Sequence, residues 1–337
     1  MNSFIYFSVL LAFVNSASAG CMDNVNLKFF GSSYTDFQSV SMPEPINVLS
    51  YITFWSIPSL PSSTQYYDPN KKTVIYVHGL FEGTDTVGPK AMIEGYLQRK
   101  SEYNVILYDY SSCGEKFLTF TTHQVDLLEG SNALAKMNFD FTKVHIIGYG
   151  YGTFIAANVG RKLNGNLRRI TGLEPAGILD NILGPLGYAQ LNKDNAQFVD
   201  VIHTDTGFLG DKKSLGHVDF WVNGGWHQPS CLQSVFDINE FLQNSTLVIA
   251  VVCNDARSWM YYAESVNSPA SPLPFQSLKC ATNYATATEN SYTASNCNGS
   301  PIVSMGYYAD LSKNDLIQST SNNYFVATNG ASKFSLT

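Results

Sequence analysis

The feature that most limits what this chain can become is a series of short runs that are apolar at consecutive positions. Thr73-Val74-Ile75-Tyr76-Val77, Asn104 to Asp109 and Val144-His145-Ile146-Ile147 are of this kind. A strand without polar alternation has both faces buried, and helices are what cover them. Ile170 to Leu173 and Gln197 to Ile202 read as further strands, and Thr153 to Leu163 as a helix with Phe154, Ala157 and Leu163 on one face. The pattern predicts an α/β chain: a mostly parallel central sheet with helices on both faces. No internal repeat and no linker rich in Pro and Gly divides it, so one domain over 20–337 is expected.

The 337 residues are 45% hydrophobic, with 20 Tyr and 21 Phe, which excludes a disordered chain and suffices for a large core. Only 14% are charged, well below the roughly 25% of ordinary soluble domains. The surface must therefore be Ser, Thr, Asn, Tyr and Gly, which suits an extracellular protein. A net charge of −7 argues against a phosphate-binding surface and so against nucleic acid as a partner.

The N-terminus points the same way. Phe4 to Val14 is an apolar run too short for a bilayer span of roughly 20 residues. Asn15-Ser16-Ala17-Ser18-Ala19 follows as an A-x-A-type cleavage site, so residues 1–19 read as a signal peptide, although the usual Lys or Arg before the apolar run is lacking. No later segment has the length and apolarity of a transmembrane span, and a secreted protein is expected.

Six cysteines in an oxidising compartment imply three disulfides. Spacing favours the local pairs Cys231–Cys253 and Cys280–Cys297, each closing a loop of about 20 residues worth about 3 kcal/mol. Cys21–Cys113 is what remains. Neither a C-x-x-C pair nor a Cys/His cluster at zinc spacing occurs. Asn244-Ser245-Thr246 and Asn298-Gly299-Ser300 are glycosylation sequons, the second made a poorer acceptor by Pro301.

Gly148-x-Gly150-x-Gly152 lies between a strand and a helix, where α/β proteins place function. One reading is a dinucleotide-binding turn, with Glu174 as the ribose-binding acid. Against it, Thr153 stands where the third glycine belongs, and the turn sits in mid-chain. The other reading is a nucleophile elbow, G-x-S-x-G, with Gly150 at the serine position. Glycine enters the strained central conformation with little penalty but supplies no nucleophile. The motif alone leaves both readings open.

The surrounding residues resemble the animal secreted lipase family, which includes pancreatic lipases and phospholipases A1. Val77-His78-Gly79-Leu80 is similar to its oxyanion-loop segment, and Val144 to Gly148 leads into the elbow. Arg169-Ile170-Thr171-Gly172-Leu173-Glu174-Pro175-Ala176 resembles the block ending with the triad acid. Phe198 to Asp205 and Gly216 to Gly225 are similar to two further blocks. Cys253-Asn254-Asp255-Ala256-Arg257-Ser258 resembles the block carrying the triad histidine, and Met305 to Asp310 fits near the end. The resemblance runs in order over nearly the whole mature chain and implies an α/β-hydrolase fold. With the residues ending at Thr337, no extra C-terminal β-sandwich of the pancreatic-type lipases is expected, and the resemblance implies a likeness to the short insect phospholipase A1-like members.

Each catalytic position departs from the family. Gly150 stands for the nucleophile, Glu174 for the acid and Asp255 for the base, while Leu80 and Tyr151 take the oxyanion-loop positions. Glu for Asp is mild; the other two changes remove the ordinary mechanism, because acyl transfer needs an oxygen nucleophile and a base working near neutral pH. Losing one triad member costs about a million-fold in a well-studied serine hydrolase. A solvated Asp255 is too weak a base. Tyr149 and Tyr151 flank the turn with no base expected beside them. His78, His145, His203 and His217 read as scaffold histidines, and His123 and His227 have no catalytic spacing.

Asn192 and Asn195 stand where the resemblance implies calcium-binding carboxylates, so no bound calcium is expected. No other cofactor is implied. The loop 231–253 matches the family's lid, with Val235, Phe236, Ile238, Phe241 and Leu242 forming either a lipid-facing stripe or an ordinary packed face. The insect yolk proteins, lipase relatives whose elbow also lacks the serine, resemble the chain closely. This resemblance implies a secreted, non-catalytic protein that binds or stores a lipid or apolar small molecule, against two rivals: a weak esterase with a rebuilt site, and a purely structural protein.

Overall fold

The computed structural model describes residues 25–41, 45–49, 52–55, 64–80, 82–111, 131, 134–177, 190–231, 245–268, 274–318 and 322–336. The expected leader, Cys21, Cys113, His123, Asn244 and the five apolar lid residues lie outside them.

The apolar runs form strands within two residues of their expected limits: β5 (Lys72–Val77), β6 (Tyr103–Asp109), β7 (Val144–Tyr149), β8 (Arg169–Leu173) and β9 (Val199–His203). They belong to an 11-stranded sheet that also holds β1 (Asn26–Phe30), β2 (Phe37–Ser41), β10 (Val218–Val222), β11 (Gln276–Lys279), β12 (Gly299–Ser304) and β13 (Asn323–Val326). Its order is β12-β11-β13-β10-β9-β8-β7-β5-β6-β1-β2. The stretch from β13 to β6 is parallel throughout. Antiparallel strands close each side. A separate antiparallel pair joins β3 (Pro45–Leu49) to β4 (Ile52–Trp55).

Successive residues of the parallel strands alternate between two cores. Ile75, Val77, Ile106, Ile146, Ile170 and Val201 pack under α2 (Gly152–Lys162), whose Phe154, Ile155, Ala157 and Val159 join the same cluster. Val74, Tyr76, Val105, Leu107, Ile147 and Leu173 pack on the other face. That face is covered by Met92, Ile93 and Tyr96 of α1 (Val87–Leu97) and by Trp259 and Tyr262 of α3 (Ser245–Asn267). Burial on both faces is why these strands carry no polar alternation. A short helix, α4 (Lys313–Gln318), precedes β13.

Both local disulfides form, Cys231–Cys253 and Cys280–Cys297. The second clamps the polar stretch before β12, and its Tyr292 stacks on the buried Trp221. Inside the first, α3 already begins at Ser245, so the end of the expected lid segment is the opening of a long helix rather than a loop.

A fully buried charge pair lies within the sheet. Arg169 meets Asp200 through two hydrogen bonds of 2.8 Å, and its remaining donors reach the carbonyls of Gly306 and Tyr307. Thr171 bridges Asp200 to His145. Burial, reinforced by the Arg169 charge, keeps the His145 imidazole well below its ordinary pKa and therefore neutral. Breaking such a pair leaves one charge buried alone. Asp200→Asn should accordingly cost about 3–5 kcal/mol in urea unfolding, whereas Lys143→Ala, in an exposed pair with Asp140, should cost under about 1 kcal/mol.

Candidate functional site

The parallel strands β5 and β7 to β9 end on one rim, where the loops after them gather. At its centre β7 turns sharply into α2. Gly150 has φ +53° at this turn, and its N–H donates to the Leu173 carbonyl at the end of β8. The glycines two residues either side have no room for a side chain. A Cβ on Gly148 would come 2.5 Å from the Gly152 carbonyl oxygen, and one on Gly152 would come 2.8 Å from that of His78. A Cβ on Gly150 would meet nothing within 4 Å. The turn is therefore a tight elbow whose central position faces open space, and glycine there is a conformational choice rather than a steric necessity. Tyr151 is buried among Tyr110 and Phe154, and Leu80 packs partly buried against the core under α2.

Glu174 follows β8 and is fully buried, with φ +41°. Its Oε2 accepts from the Thr204 N–H, from Thr204 Oγ1 at 2.8 Å and from the Asp205 N–H at 2.8 Å. Oε1 has no partner. These bonds hold a non-glycine residue in a left-handed conformation that costs about 1–2 kcal/mol. Asp255 lies on α3 and accepts the Tyr149 hydroxyl. Thr204 Oγ1, 3.5 Å from the Asp255 carbonyl oxygen, links that turn of helix to Glu174. The three positions scattered over 150–255 thus meet at one rim.

Two carboxyl groups that the sequence did not single out join them. Glu82, in the loop after β5, accepts from the Gly79 N–H at 2.9 Å. Asp205, after β9, is buried with Oδ2 unpartnered. Asp255 is only partly exposed. Burial raises its carboxyl to about 7 although the Tyr149 hydrogen bond pulls it down. Tyr149, expected to have no base beside it, has Asp255 as its partner. Burial raises Glu174 to about 8, with the Asp255 charge adding to it, and Asp205 to about 10 with both neighbours adding. Burial also raises Glu82.

The histidines are committed elsewhere. His78 stacks on Tyr110 and accepts from its N–H at 3.1 Å. His203 bonds Asp219 at 2.8 Å and stacks on Trp221. His217 accepts from the Val199 N–H, and the His227 ring lies 3.9 Å from Glu289.

Asn192 and Asn195 form a reciprocal capping box around a single 3₁₀ turn. Each side chain accepts from a backbone N–H at 2.9 Å. Oxygens turned onto the backbone, and neutral as well, do not fit a calcium ion. Among the described residues no group of three or more His, Cys, Asp or Glu could hold a metal ion, and no helix is long and apolar enough to cross a membrane.

Two predictions follow from this geometry. Gly150→Ser should fold at a cost of about 1–2 kcal/mol from the positive φ alone, while Gly152→Ala, which drives a methyl into backbone oxygens, should lose about 3 kcal/mol or more; chemical denaturation compares them. The carboxyls also set a pH dependence. Asp255, Glu174 and Asp205 bind protons more tightly folded than unfolded, so their stability contribution is complete below about pH 4 and falls as pH rises through 7, 8 and 10. The melting temperature should be at least about 5 °C lower at pH 9 than at pH 5, and Glu174→Gln with Asp205→Asn should flatten that slope.

Comparison with known proteins accounts for this frame. The family model described as Lipase matches residues 54–334. Pancreatic triacylglycerol lipase of Myocastor coypus is 32% identical over 286 residues, covering 79% of this chain and 59% of that protein. Lipase member H-B of Xenopus laevis is 31% identical, covering 75% of this chain and 54% of its own. The chain thus spans somewhat more than half the length of these relatives. Among solved structures, a putative α/β-superfamily hydrolase from Xanthomonas campestris pv. campestris is 18% identical, with a TM-score of 0.29 over 59% of this chain and 98% of that one. With a matched family model over most of its length and a parallel sheet carrying a glycine elbow at its rim, this chain belongs to the lipase family and has the α/β-hydrolase fold.

Proposed function

We propose that this protein is a secreted lipase-family member without acyl-transfer chemistry, which binds or stores a lipid or another apolar small molecule. The observation that carries the reading is the elbow itself. Its geometry is that of a nucleophile turn, yet at position 150, where the attacking oxygen would project into open space, there is only hydrogen. Asp255 stands at the base position, hydrogen-bonded to Tyr149 rather than to any serine, and Glu174 spends Oε2 on Thr204 and Asp205 rather than on a histidine. An acyl-enzyme has no atom on which to form.

The rest of the reading is of the same kind. The two disulfides support an oxidising compartment, and Asn298 is exposed, as an acceptor of glycan must be. One lipase-like domain over 20–337, with a lid-like segment at 231–253, is the simplest organisation. A role in yolk or reproductive fluid follows from the likeness to lipase relatives without the serine, and is fold-level analogy.

Two measurements test the main reading. A fluorophosphonate serine probe should leave the purified protein unlabelled; labelling stoichiometric with protein would sink it. Organic extraction followed by mass spectrometry should recover lipid in amounts comparable with the protein. A clean extract, together with failure to bind any added amphiphile, would leave a structural role.

One observation favours a second reading, a weak carboxylic ester hydrolase of phospholipase A1 type. Burial brings Asp255 to about 7, where a general base is useful, and the space over Gly150 has room for a water molecule. On that reading hydrolysis of a nitrophenyl ester rises with pH through about 7 and is abolished by Asp255→Asn. The main reading expects a rate that this substitution does not change.

A further inference from the structure

A cleft of about 470 Å³ opens at the end of the sheet opposite the elbow, where β5 and β6 begin and the antiparallel β1 ends. That volume lies within the range of pockets that hold small ligands, about 300–1,000 Å³. Among its walls are Phe30, Tyr66, Lys71, Lys100, Ser101 and Tyr103. The rings are pinned from behind. Tyr66 donates to Asp36 at 2.5 Å, and its ring lies so close over Gly31 that a Cβ there would come 2.7 Å from Cε1. Phe30 stacks on Tyr34, while Tyr103 meets the Tyr96 ring edge-on and shares a hydrogen bond with the Tyr307 hydroxyl. Aromatic groups fixed in this way take a ligand without the cost of ordering their own side chains.

Charge at this end runs against the −7 of the whole chain. Lys100 is exposed and Lys71 half-buried. Lys71 Nζ donates to the Lys100 carbonyl at 2.9 Å, which holds its ammonium at the cleft wall. Lys72 adds a third ammonium, 5.8 Å from the centre of the Tyr103 ring. The carboxylates nearby are engaged otherwise. Asp36, which feels the Lys100 charge, accepts from Ser32 and Tyr66. Asp68, also on the wall, turns Oδ1 to Asn70, and Glu102 pairs with Arg99. The ammonium groups are thus left to an anion from outside.

We propose that this cleft binds a short acidic saccharide, a hexose pair bearing a carboxylate or a sulfate ester. The site is separate from the elbow rim and does not depend on what that rim takes. The flat C–H face of a pyranose ring covers the Tyr66 ring, an apolar surface with a polar edge. Sugar hydroxyls reach the exposed Ser101, and the anion accepts from Lys71 and Lys100 in charge-assisted hydrogen bonds. A fatty chain matches the rings but not the hydroxyl and ammonium groups set around them. A neutral sugar matches the rings and leaves the ammoniums unanswered. The negative charge carried by the rest of the chain favours this end for an anion.

The test is calorimetric titration of the full-length protein with digalacturonate, sulfated galactobiose, neutral galactobiose and triglutamate, at about 0.05 M and about 0.5 M salt. At the lower salt the better acidic disaccharide should bind at least about tenfold more tightly than galactobiose, and the higher salt should shrink that preference. Which acidic form binds better assigns carboxylate or sulfate. Lys71→Gln with Lys100→Gln should bring the ratio to about 1 at an unchanged melting temperature, and Tyr66→Leu should weaken all the disaccharides together. Galactobiose binding as tightly as both acidic forms overturns the proposal. So does a preference that survives the double lysine substitution, or an affinity that Tyr66→Leu leaves unchanged. Triglutamate binding as tightly as the disaccharides makes this an acidic-peptide site and overturns the saccharide assignment. If no disaccharide binds at about 10 mM, the proposal falls, and lipid binding elsewhere on the protein is unaffected.

Discussion

The closeness with which α2 begins against the end of β5 governs the functional rim. Gly148 and Gly152 let the backbone double back at van der Waals distance, and this forces Gly150 into the left-handed region with its N–H on the Leu173 carbonyl. That bond ties the elbow to the end of β8, one residue before Glu174. Because backbone oxygens cannot yield as flexible side chains do, the constraint is stiff. The turn keeps its shape whether or not its central residue carries a side chain.

Electrostatics at the rim contrast with those within the sheet. Arg169 and Asp200 are buried together, each answered by the other and by neighbouring carbonyls and hydroxyls. Glu174 and Asp255 are met by hydrogen-bond donors but by no counter-charge, and the charge of each neighbouring carboxyl further raises Glu174 and Asp205. Without a counter-charge, burial resolves the conflict through protons, and the carboxyls hold theirs into the neutral range and beyond.

Much of this was legible in the chain. Consecutive apolar residues in β5, β6 and β7 announced strands buried on both faces, and Gly148-x-Gly150-x-Gly152 announced a tight strand-to-helix turn. The histidine assignments were legible as well, since His78, His145, His203 and His217 all lie within strand-end blocks and find structural partners there. Glu82 and Asp205 were not, because an acid in a loop looks solvated until the fold surrounds it. Tyr149 was read as idle for the same reason: its partner lies on α3, 106 residues away in sequence. The start of α3 inside the Cys231–Cys253 loop was hidden by the expectation of a lid.

The sequence by itself determined the layered α/β frame, the elbow and the absence of a side chain at its centre. Those depend on periodicity and on sterics between near neighbours, which a linear reading contains. Only the tertiary structure decided that Glu82, Glu174, Asp205 and Asp255 share one rim, that two of their oxygens go unanswered, and that Asp255 titrates near neutrality. Dielectric surroundings belong to no single segment. They come into being when loops after different strands and a helix from late in the chain close over the same few atoms.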